Sequence, residues 1–279
     1  MVRRQRRRPH DPDLAWLRWA SASLAVRCLG TLVVVLVLVV ARRSGGGSGE
    51  AARVDCAAVA ATTSAAVVVP VKAFTAAKVR LASALDPGER ARLARHMAEI
   101  VLLAAKPLPV IVVCDDDEVR AWAEAAGAAV VWCPARGLNG AVADGVAALR
   151  DAGVERAIVA HADLPLATRL DWVADFAGVT LVPDRRLDGT NVLAVPTASG
   201  FRFSYGAGSF GRHRAETARL GLPARLVPDP QLAWDVDLPV DLAWPGAPGP
   251  PGPPSAGTTP AAVARSLLAD LTVGSPRSA

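Results

Sequence analysis

The amino-acid sequence predicts an α/β fold of three layers, in which helices cover both faces of a mostly parallel sheet. Apolar residues make up 52% of the 279 residues, so the chain can bury a large core. Short apolar runs rich in β-branched residues alternate with stretches of helical length between residues 66 and 228. Recognisable start and stop signals mark the helices. This alternation is typical of a single domain built on parallel strands.

The strands and helices follow from these signals in chain order. Strands are predicted for the apolar runs at 66–71, 109–114, 128–132, 156–161, 179–183, 191–196 and 224–228. Helices are predicted at 86–105, 116–126, 139–152, 167–177 and 209–220. Asp86 is the expected N-cap of the first helix, with Pro87 at its first position and Glu89 at its third. Gly127 and Gly153 are expected to end the second and third helices.

The predicted domain occupies residues 66–244 and has an extension on each side. Residues 1–65 are Arg-rich and contain the apolar run 29–41, whereas residues 245–279 form a Pro/Gly-rich tail with a short amphipathic stretch. The apolar run is shorter than the roughly 20 residues that a membrane-spanning helix needs. Three interpretations of the first extension stay open: a start codon assigned too far upstream, a weak membrane anchor, and the apolar part of a signal peptide.

The distribution of charge argues against binding to nucleic acid. The chain has a formal net charge of +5, but residues 1–55 contain ten Arg and four acidic residues, so the remainder is close to neutral. No CxxC pair and no zinc-like spacing occurs among the four cysteines: Cys28, Cys56, Cys114 and Cys133. These cysteines are expected to be reduced thiols of a cytoplasmic protein, with membrane association through residues 29–41 as the alternative.

Cations are concentrated in the loop after the first strand. Ligands of such sheets bind beyond the carboxyl ends of the strands, so this loop is a candidate site. Two of the three lysines in the chain, Lys72 and Lys78, lie there together with Arg80. A triphosphate needs cations at such a place, because backbone amides alone leave most of its charge unbalanced. The Walker A pattern is absent, and a solvated loop with incidental charges is the alternative.

Three aspartates follow other strands. Asp163 comes directly after the fourth strand, and a carboxylate at the tip of a buried strand is costly unless it binds a cation. Asp235 and Asp237 are two positions apart, so in an extended segment their side chains face the same way. All three are predicted ligands of a hard divalent cation. The alternatives are a helix N-cap at Asp163 and turn chemistry in which Asp237 caps the last helix.

Two further loops suit an anionic substrate. The turn at 189–191 has the sequence Gly-Thr-Asn, which exposes backbone N–H groups beside the hydroxyl of Thr190. Gly206 allows a close approach of backbone to ligand, and Ser209 then opens a helix whose N-terminus favours a phosphate or carboxylate. Asn139 lies at the start of another helix, where it either caps the helix or binds a nucleotide.

Six motifs occur in a recognisable order: PVKAFTAAKVRL, GLNGAV, ADLPL, PDRRLDGTN, YGAGSFGRH and DVDLPVDL. Together they resemble the 2-phospho-L-lactate or phosphoenolpyruvate guanylyltransferases of coenzyme F-420 biosynthesis, over about residues 66–244. The resemblance implies a GT-A-like fold similar to that of nucleotide-diphospho-sugar transferases. It also implies a Mg²⁺-dependent reaction in which the phosphate of the acceptor attacks the α-phosphorus of GTP and pyrophosphate leaves.

The resemblance further implies a role for each candidate residue. Three carboxylates match the positions that bind Mg²⁺: Asp163, Asp235 and Asp237. Three residues match the positions that hold the three-carbon phosphoacid: Thr190, Gly206 and Ser209. Three cations are expected on the phosphates of GTP as the catalytic groups: Lys72, Lys78 and Arg80. Asn139 is expected near the guanosine and, with the two lysines, to bind the nucleotide.

The sequence departs from the family pattern in its two extensions and in one loop. Residues 185–188 have the sequence Arg-Arg-Leu-Asp where a Gly-rich turn is expected. Two other functions stay open: a molybdenum-cofactor or sugar nucleotidyltransferase of the same fold, and a membrane-tethered nucleotide-binding protein without catalysis. The paired loops at 189–191 and 206–209 favour a small anionic acceptor.

Overall fold

A computed structural model describes residues 63–243, in which seven strands form one hydrogen-bonded sheet. The strands are β1 (Ala65–Pro70), β2 (Val110–Cys114), β3 (Ala129–Trp132), β4 (Arg156–Ala160), β5 (Val179–Pro183), β6 (Thr190–Pro196) and β7 (Ala224–Leu226). They are hydrogen-bonded in the order β3-β2-β1-β4-β6-β5-β7. In this sheet β6 runs antiparallel to both neighbours, and the other pairs are parallel. The predicted mostly parallel sheet is confirmed.

The reversed direction of β6 brings more residues to the edge where the other strands end, which we call the carboxyl edge. Ala160 at the end of β4 pairs with Val192 near the start of β6. Thr190 and Asn191 therefore lie beside the loop that follows β4. The candidate residues before β6 and after β4 consequently share one edge of the sheet.

The helices begin and end close to where local signals place them. They are α1 (Pro87–Ala104), α2 (Asp117–Ala125), α3 (Gly137–Asp151) and α4 (Ser209–Arg219). The Asp86 carboxylate accepts a hydrogen bond from the Glu89 N–H at 2.8 Å, and the Glu89 carboxylate accepts one from the Asp86 N–H at 2.9 Å. This capping box confirms the predicted start of α1. Gly127 and Gly153 follow α2 and α3 with φ of +81° and +83°, as expected of helix-ending glycines.

The core lies on both faces of the sheet, which confirms the three-layer prediction. Along β1, Val67 and Val69 pack among residues of α1 and α2, whereas Val68 packs on the opposite face among residues of α3. Helix α3 lies very close to the sheet at Gly145, where an added Cβ would be 2.7 Å from a methyl carbon of Val113 and 2.9 Å from one of Val68. Only glycine fits this contact without movement of its neighbours.

One predicted helix is wrong. The segment 167–177 contains only a 3₁₀ turn, Asp171–Ala174. Arg225 donates hydrogen bonds to the carbonyl oxygens of Trp172 and Val173 at 3.1 and 3.0 Å. A distant side chain thus satisfies carbonyls that a helix would have paired locally, and the chain is free to turn toward β5.

The predictions for the N-terminal extension with its run 29–41 and for the Pro/Gly-rich tail lie outside the described residues. Among the helices within residues 63–243, none combines the length and the apolar character that crossing a membrane requires.

Candidate active site

The loops at the carboxyl edge bring together three of the predicted residues. The Lys78 ammonium lies 2.5 Å from Asp163 Oδ2 and 3.1 Å from Asp237 Oδ1. The N–H of Val236 donates to the Asp163 carbonyl at 3.2 Å, which holds the 235–237 segment against the loop after β4. Residues that are 85 and 159 positions from Lys78 in the chain thus meet in one cluster.

Lys78 owes its position to a local turn. Its backbone is left-handed, with φ of +54°, directly before the 3₁₀ turn Val79–Leu81. The side chain is only 12% exposed. Burial alone would lower the pKa of the ammonium, but the charges of Asp163 and Asp237 outweigh burial and raise it. The lysine is therefore a fixed positive charge between two carboxylates.

The carboxylates differ in their ionisation. Burial favours a higher pKa for Asp163, but the adjacent Lys78 charge prevails and lowers it. The pKa of Asp235 is raised, first by burial and then by the negative charge of Asp163. Asp163 Oδ1 and Asp235 Oδ1 are both buried without a hydrogen-bond partner. Two unsatisfied carboxylate oxygens of neighbouring residues are a costly arrangement that a bound cation would relieve.

The residues present fit a magnesium ion whose coordination sphere is completed by substrate. Within residues 63–243, no group of three or more His, Cys, Asp or Glu side chains has the arrangement of a full metal cage. Mg²⁺ is commonly held by one or two carboxylates together with substrate phosphates and water. No helix starts directly after Asp163, because the next helical element begins at Asp171, so the alternative of an N-cap at Asp163 is wrong. Asp237 does not cap the 3₁₀ turn Pro239–Leu242 either, because Leu238 is at the N-cap position and Asp241 accepts from the N–H groups of Asp237 and Leu238.

Arg80 borders this cluster on the solvent side, and Lys72 lies exposed in the same loop after β1. Lys72 is exposed two residues after the end of β1. Arg80 is 74% exposed, and its Nη1 lies 3.9 Å from Asp237 Oδ2. Both side chains are free to approach a ligand over the carboxyl edge. An exposed pair at this distance contributes little to stability.

The predicted acceptor residues lie on the β6 side of the edge. Thr190 Oγ1 is 3.0 Å from His213 Nδ1, while His213 Nε2 accepts from the Ser204 N–H at 3.0 Å. Nδ1 therefore carries the proton and donates to Thr190. Burial, the largest cause, lowers the pKa of His213 to about 4, so the imidazole is neutral and holds Thr190 in place.

Gly206 and Ser209 form the turn that opens α4. Gly206 has φ of +111°, a conformation that favours glycine, and the N–H of Ser209 donates to its carbonyl at 3.0 Å. Ser209 is the first residue of α4 and is buried. Asn139 Oδ1 accepts from the Tyr205 N–H at 2.6 Å. The helix cap expected from Asn139 is wrong, because α3 begins at Gly137 and the side chain supports the Tyr205 loop instead.

Sequence reasoning missed Asp241, which organises the segment that carries Asp235 and Asp237. Asp241 is completely buried, and its Oδ2 accepts from the N–H groups of Asp237 and Leu238 at 2.9 and 2.8 Å. Burial would raise the pKa of Asp241, but these backbone hydrogen bonds and two arginines outweigh it and lower the pKa. The sequence feature that could have identified Asp241 is its place in the first turn after Pro239, a pattern typical of a capped helix start.

Two arginines of the 184–189 loop are also part of the site. Arg185 and Arg186 both donate through Nη2 to Asp241 Oδ1, Arg186 at 2.8 Å. Arg185 also stacks over the Trp234 ring, with 4.1 Å between its Cζ and the ring centroid. The sequence marks this loop only as a departure from a Gly-rich turn, and nothing local shows that its arginines reach Asp241.

The fold is shared with a nucleotide-diphospho-sugar transferase. A crystal structure described as a putative nucleotide-diphospho-sugar transferase from Desulfovibrio desulfuricans superposes with a TM-score of 0.53 at 17% identity, over 65% of this chain and 85% of that chain. This similarity shows the fold alone. Together with a carboxyl edge that gathers cations and carboxylates, it confirms the predicted architecture.

The family match and the curated relatives identify the chain as a nucleotidyltransferase. The family described as "Guanylyl transferase CofC like" matches residues 65–244, and the chain belongs to it. Phosphoenolpyruvate guanylyltransferase from Chloroflexus aggregans is 37% identical over 184 residues, which cover 61% of this chain and 90% of the relative. The enzyme of the same name from Sphaerobacter thermophilus is 36% identical, over 63% of this chain and 89% of the relative. The resemblance found in the six motifs is thereby confirmed.

Proposed function

We propose that the protein transfers GMP from GTP to phosphoenolpyruvate and releases pyrophosphate, with 2-phospho-L-lactate as the other candidate acceptor. The observation that carries the proposal is the cluster of Lys78 with Asp163, Asp235 and Asp237, in which two buried carboxylate oxygens lack a partner. The names of the relatives support a guanine nucleotide and phosphoenolpyruvate as the two substrates. We place the reaction in the cytoplasm, as a step of coenzyme F-420 biosynthesis.

Mg²⁺ is the proposed cofactor, held by Asp163 and Asp235 with Asp237 beside them. When bound, the ion supplies charge neutralisation at the reacting phosphates. The donor set supports this assignment, because hard oxygen ligands and a partly open coordination sphere are what Mg²⁺ prefers. The cation requirement of the two unpartnered oxygens is the structural reason for it.

The three cations of the first loop bind the triphosphate in this proposal. Lys78 is fixed by its carboxylates at the carboxyl edge, while Lys72 and Arg80 extend from the same loop into solvent. Phosphoryl transfer depends mainly on positioning and on stabilising the charge that develops on the leaving group. These side chains can offset the charge of the departing pyrophosphate.

The acceptor requires no general base, because its phosphate is already an anion. The residues of the site are consistent with a reaction that needs no general base. The most suitable base, His213, is occupied at both ring nitrogens and is neutral. The Thr190 hydroxyl accepts from His213, so its own hydrogen is available to an acceptor oxygen. Thr190, Gly206 and Ser209 are the proposed acceptor-binding residues, and Asn139 remains the proposed residue near the guanosine.

The test uses the full-length chain with Mg²⁺ and GTP, offered phosphoenolpyruvate or 2-phospho-L-lactate, with release of pyrophosphate as the readout. Release that depends on one of the acceptors supports the proposal and names that acceptor. The variant Asp163→Asn should abolish release, while Asp151→Asn on the exposed C-terminal end of α3 should not. A folded protein that binds GTP but releases nothing with either acceptor would refute the proposal and favour a larger acceptor.

A further inference from the structure

The guanidinium of Arg186 is held in place by a hydrogen bond that uses only part of its donor capacity. It donates to Asp241 Oδ1 at 2.8 Å, an oxygen that also accepts from Arg185. Two guanidinium groups therefore share one carboxylate oxygen, so Asp241 alone does not balance both charges. The Arg186 side chain is 39% exposed, whereas Asp241 is completely buried. A fixed, partly exposed arginine with donors to spare is a suitable binding group for an anion.

The backbone of Arg186 is equally well fixed. The Asp184 carboxylate accepts hydrogen bonds from the N–H groups of Arg186, Asp188 and Gly189, all at 2.9 to 3.0 Å. A Cβ added at Gly189 would lie 2.9 Å from Asp184 Oδ2, so any larger residue there would displace this carboxylate. The loop thus presents Arg186 from a rigid turn, and little ordering entropy remains to be lost on binding.

The same loop is bonded to the proposed acceptor-binding turn. Asp188 Oδ2 accepts from the Gly208 N–H at 3.0 Å, and the Asp188 carbonyl accepts from the Phe210 N–H at 2.9 Å. On its other side the loop contacts the segment 235–241, which carries Asp235 and Asp237, through Asp241. Arg186 therefore belongs to a loop that bridges the acceptor-binding turn and the proposed metal ligands.

Arg186 is also electrostatically close to those ligands. Burial would lower its pKa, but the hydrogen bond and charge of Asp241, followed by the charges of Asp235 and Asp184, raise it. The guanidinium is therefore within electrostatic reach of Asp235. Its positive charge would offset the repulsion that an incoming anion meets from the carboxylates at this edge.

We propose that Arg186 binds the carboxylate of the phosphoacid acceptor, and that Asp241 is the positioning residue that aims its guanidinium. This inference rests on the proposed function. An acceptor such as phosphoenolpyruvate has two anionic groups on a three-carbon skeleton. Its phosphate must approach the nucleotide beside Lys78, which leaves the carboxylate to the acceptor-binding turn at Gly206 and Ser209 and to a cation beside that turn. The planar guanidinium matches a carboxylate through two parallel hydrogen bonds, which a lysine cannot reproduce.

The first experiment compares the kinetics of the full-length wild type with Arg186→Gln, Arg186→Lys and the control Arg150→Gln. Arg150 pairs with Asp151 at the far end of α3 and is 52% exposed. Loss of a charge-assisted contact should raise the KM for phosphoenolpyruvate by roughly 10- to 100-fold in Arg186→Gln. The KM for GTP should stay within about twofold, because the contact is to the acceptor alone. Arg186→Lys should recover part of the loss, and Arg150→Gln should match the wild type.

The second experiment removes the carboxylate from the acceptor instead of the arginine. Isopropyl phosphate retains the phosphate and three carbon atoms but lacks the carboxylate. If Arg186 binds that group, wild type and Arg186→Gln should use isopropyl phosphate with equal kcat/KM, while they differ with phosphoenolpyruvate. An equal loss with both acceptors, or an equal rise in the KM for GTP, would overturn the inference.

Failure of the proposed function can be told apart from failure of this inference. If the wild type releases no pyrophosphate with any acceptor, the proposed function fails. In that case the role of Arg186 is tested by the binding of phosphoenolpyruvate, measured by calorimetry. The sample contains Mg²⁺ and a GTP analogue that has a methylene between the α- and β-phosphorus. An affinity of Arg186→Gln at least roughly tenfold below that of the wild type supports the inference. Equal affinities overturn it.

Discussion

Residues 65–166 and residues 179–242 each contribute half of the carboxyl edge, but different interactions hold the two halves in place. In the first half, local capping and apolar packing fix parallel strands between α1, α2 and α3. In the second half, buried polar groups such as Asp184 and Asp241 fix irregular loops. The first half of the edge, where the nucleotide is proposed to bind, therefore depends on the core. The second half, which carries the proposed acceptor-binding residues, depends on hydrogen bonds between distant residues.

Lys78 joins the two halves, so its replacement should have the largest effect. Lys78→Met removes the cation between Asp163 and Asp237. Pyrophosphate release should fall by roughly 100- to 1,000-fold. Loss of one partner from a buried pair should lower the free energy of unfolding by about 3–5 kcal/mol. Steady-state kinetics and urea unfolding measure the two effects.

The remaining lysine gives the matched control for this change. Lys106 is exposed in the loop before β2, at the edge of the sheet opposite the carboxyl edge. Lys106→Met should leave both activity and stability unchanged. In Lys78→Met, Mg²⁺ should restore part of the lost stability, since a bound cation replaces the missing charge. Retention of full activity by Lys78→Met would contradict the role of the cluster.

Asp241→Ala tests whether polar contacts hold the second half. The change leaves Arg185 and Arg186 without their shared carboxylate and two backbone N–H groups without an acceptor. The free energy of unfolding should fall by about 1–3 kcal/mol, because two backbone N–H groups lose their acceptor and two partly exposed arginines lose their shared partner. The control Asp117→Ala, at a pair whose aspartate is 78% exposed, should cost less than about 1 kcal/mol. Equal effects of the two variants would contradict the distinction drawn between the halves.

The two halves also differ in how far the sequence predicts them. The strands, the capping box at Asp86 and Glu89, and the glycines after α2 and α3 follow from local patterns. The placement of Lys78 and Asp163 on one edge follows from the rule that ligands bind where parallel strands end. Both kinds of inference need only neighbouring residues or the order of the strands.

The contacts of the second half join residues that no local pattern connects. Asn139 and Tyr205 are 66 positions apart, and Arg185 and Asp241 are 56 apart. A single sequence shows that such polar residues are present but not which partner each one reaches. The misassigned helix at 167–177 has the same origin, because Arg225 satisfies its carbonyls from 52 and 53 positions away.

The neutral state of His213 makes the stability of the second half depend on pH between about pH 6.5 and pH 4. The pKa of His213 is lowered to about 4 by burial, against about 6.5 for an exposed histidine. Below about pH 6.5 the unfolded chain binds a proton that the folded chain does not, so folding loses stability as pH falls toward about 4. The loss reaches at most about 3 kcal/mol.

Urea unfolding of the wild type and of His213→Gln at a series of pH values measures this loss. The variant should be less stable near pH 7, because the contact with Thr190 is altered. Its stability should nevertheless fall less steeply between about pH 6.5 and pH 4. Parallel curves for the two proteins would show that His213 is not buried in its neutral form.

The smallest predicted effect tests the packing of the first half at a single methyl group. Gly145→Ala places a Cβ 2.7 Å from a methyl carbon of Val113 and 2.9 Å from one of Val68. Both valines lie in central strands, so α3 must shift, and the free energy of unfolding should fall by about 1–3 kcal/mol. Gly211→Ala in α4 is the matched control, because no heavy atom lies within 4 Å of the added Cβ. Its higher helix propensity should stabilise the protein by up to about 1 kcal/mol. Opposite signs for the two glycines would show that close contact of helix and sheet, and not helix propensity, positions the first half of the edge.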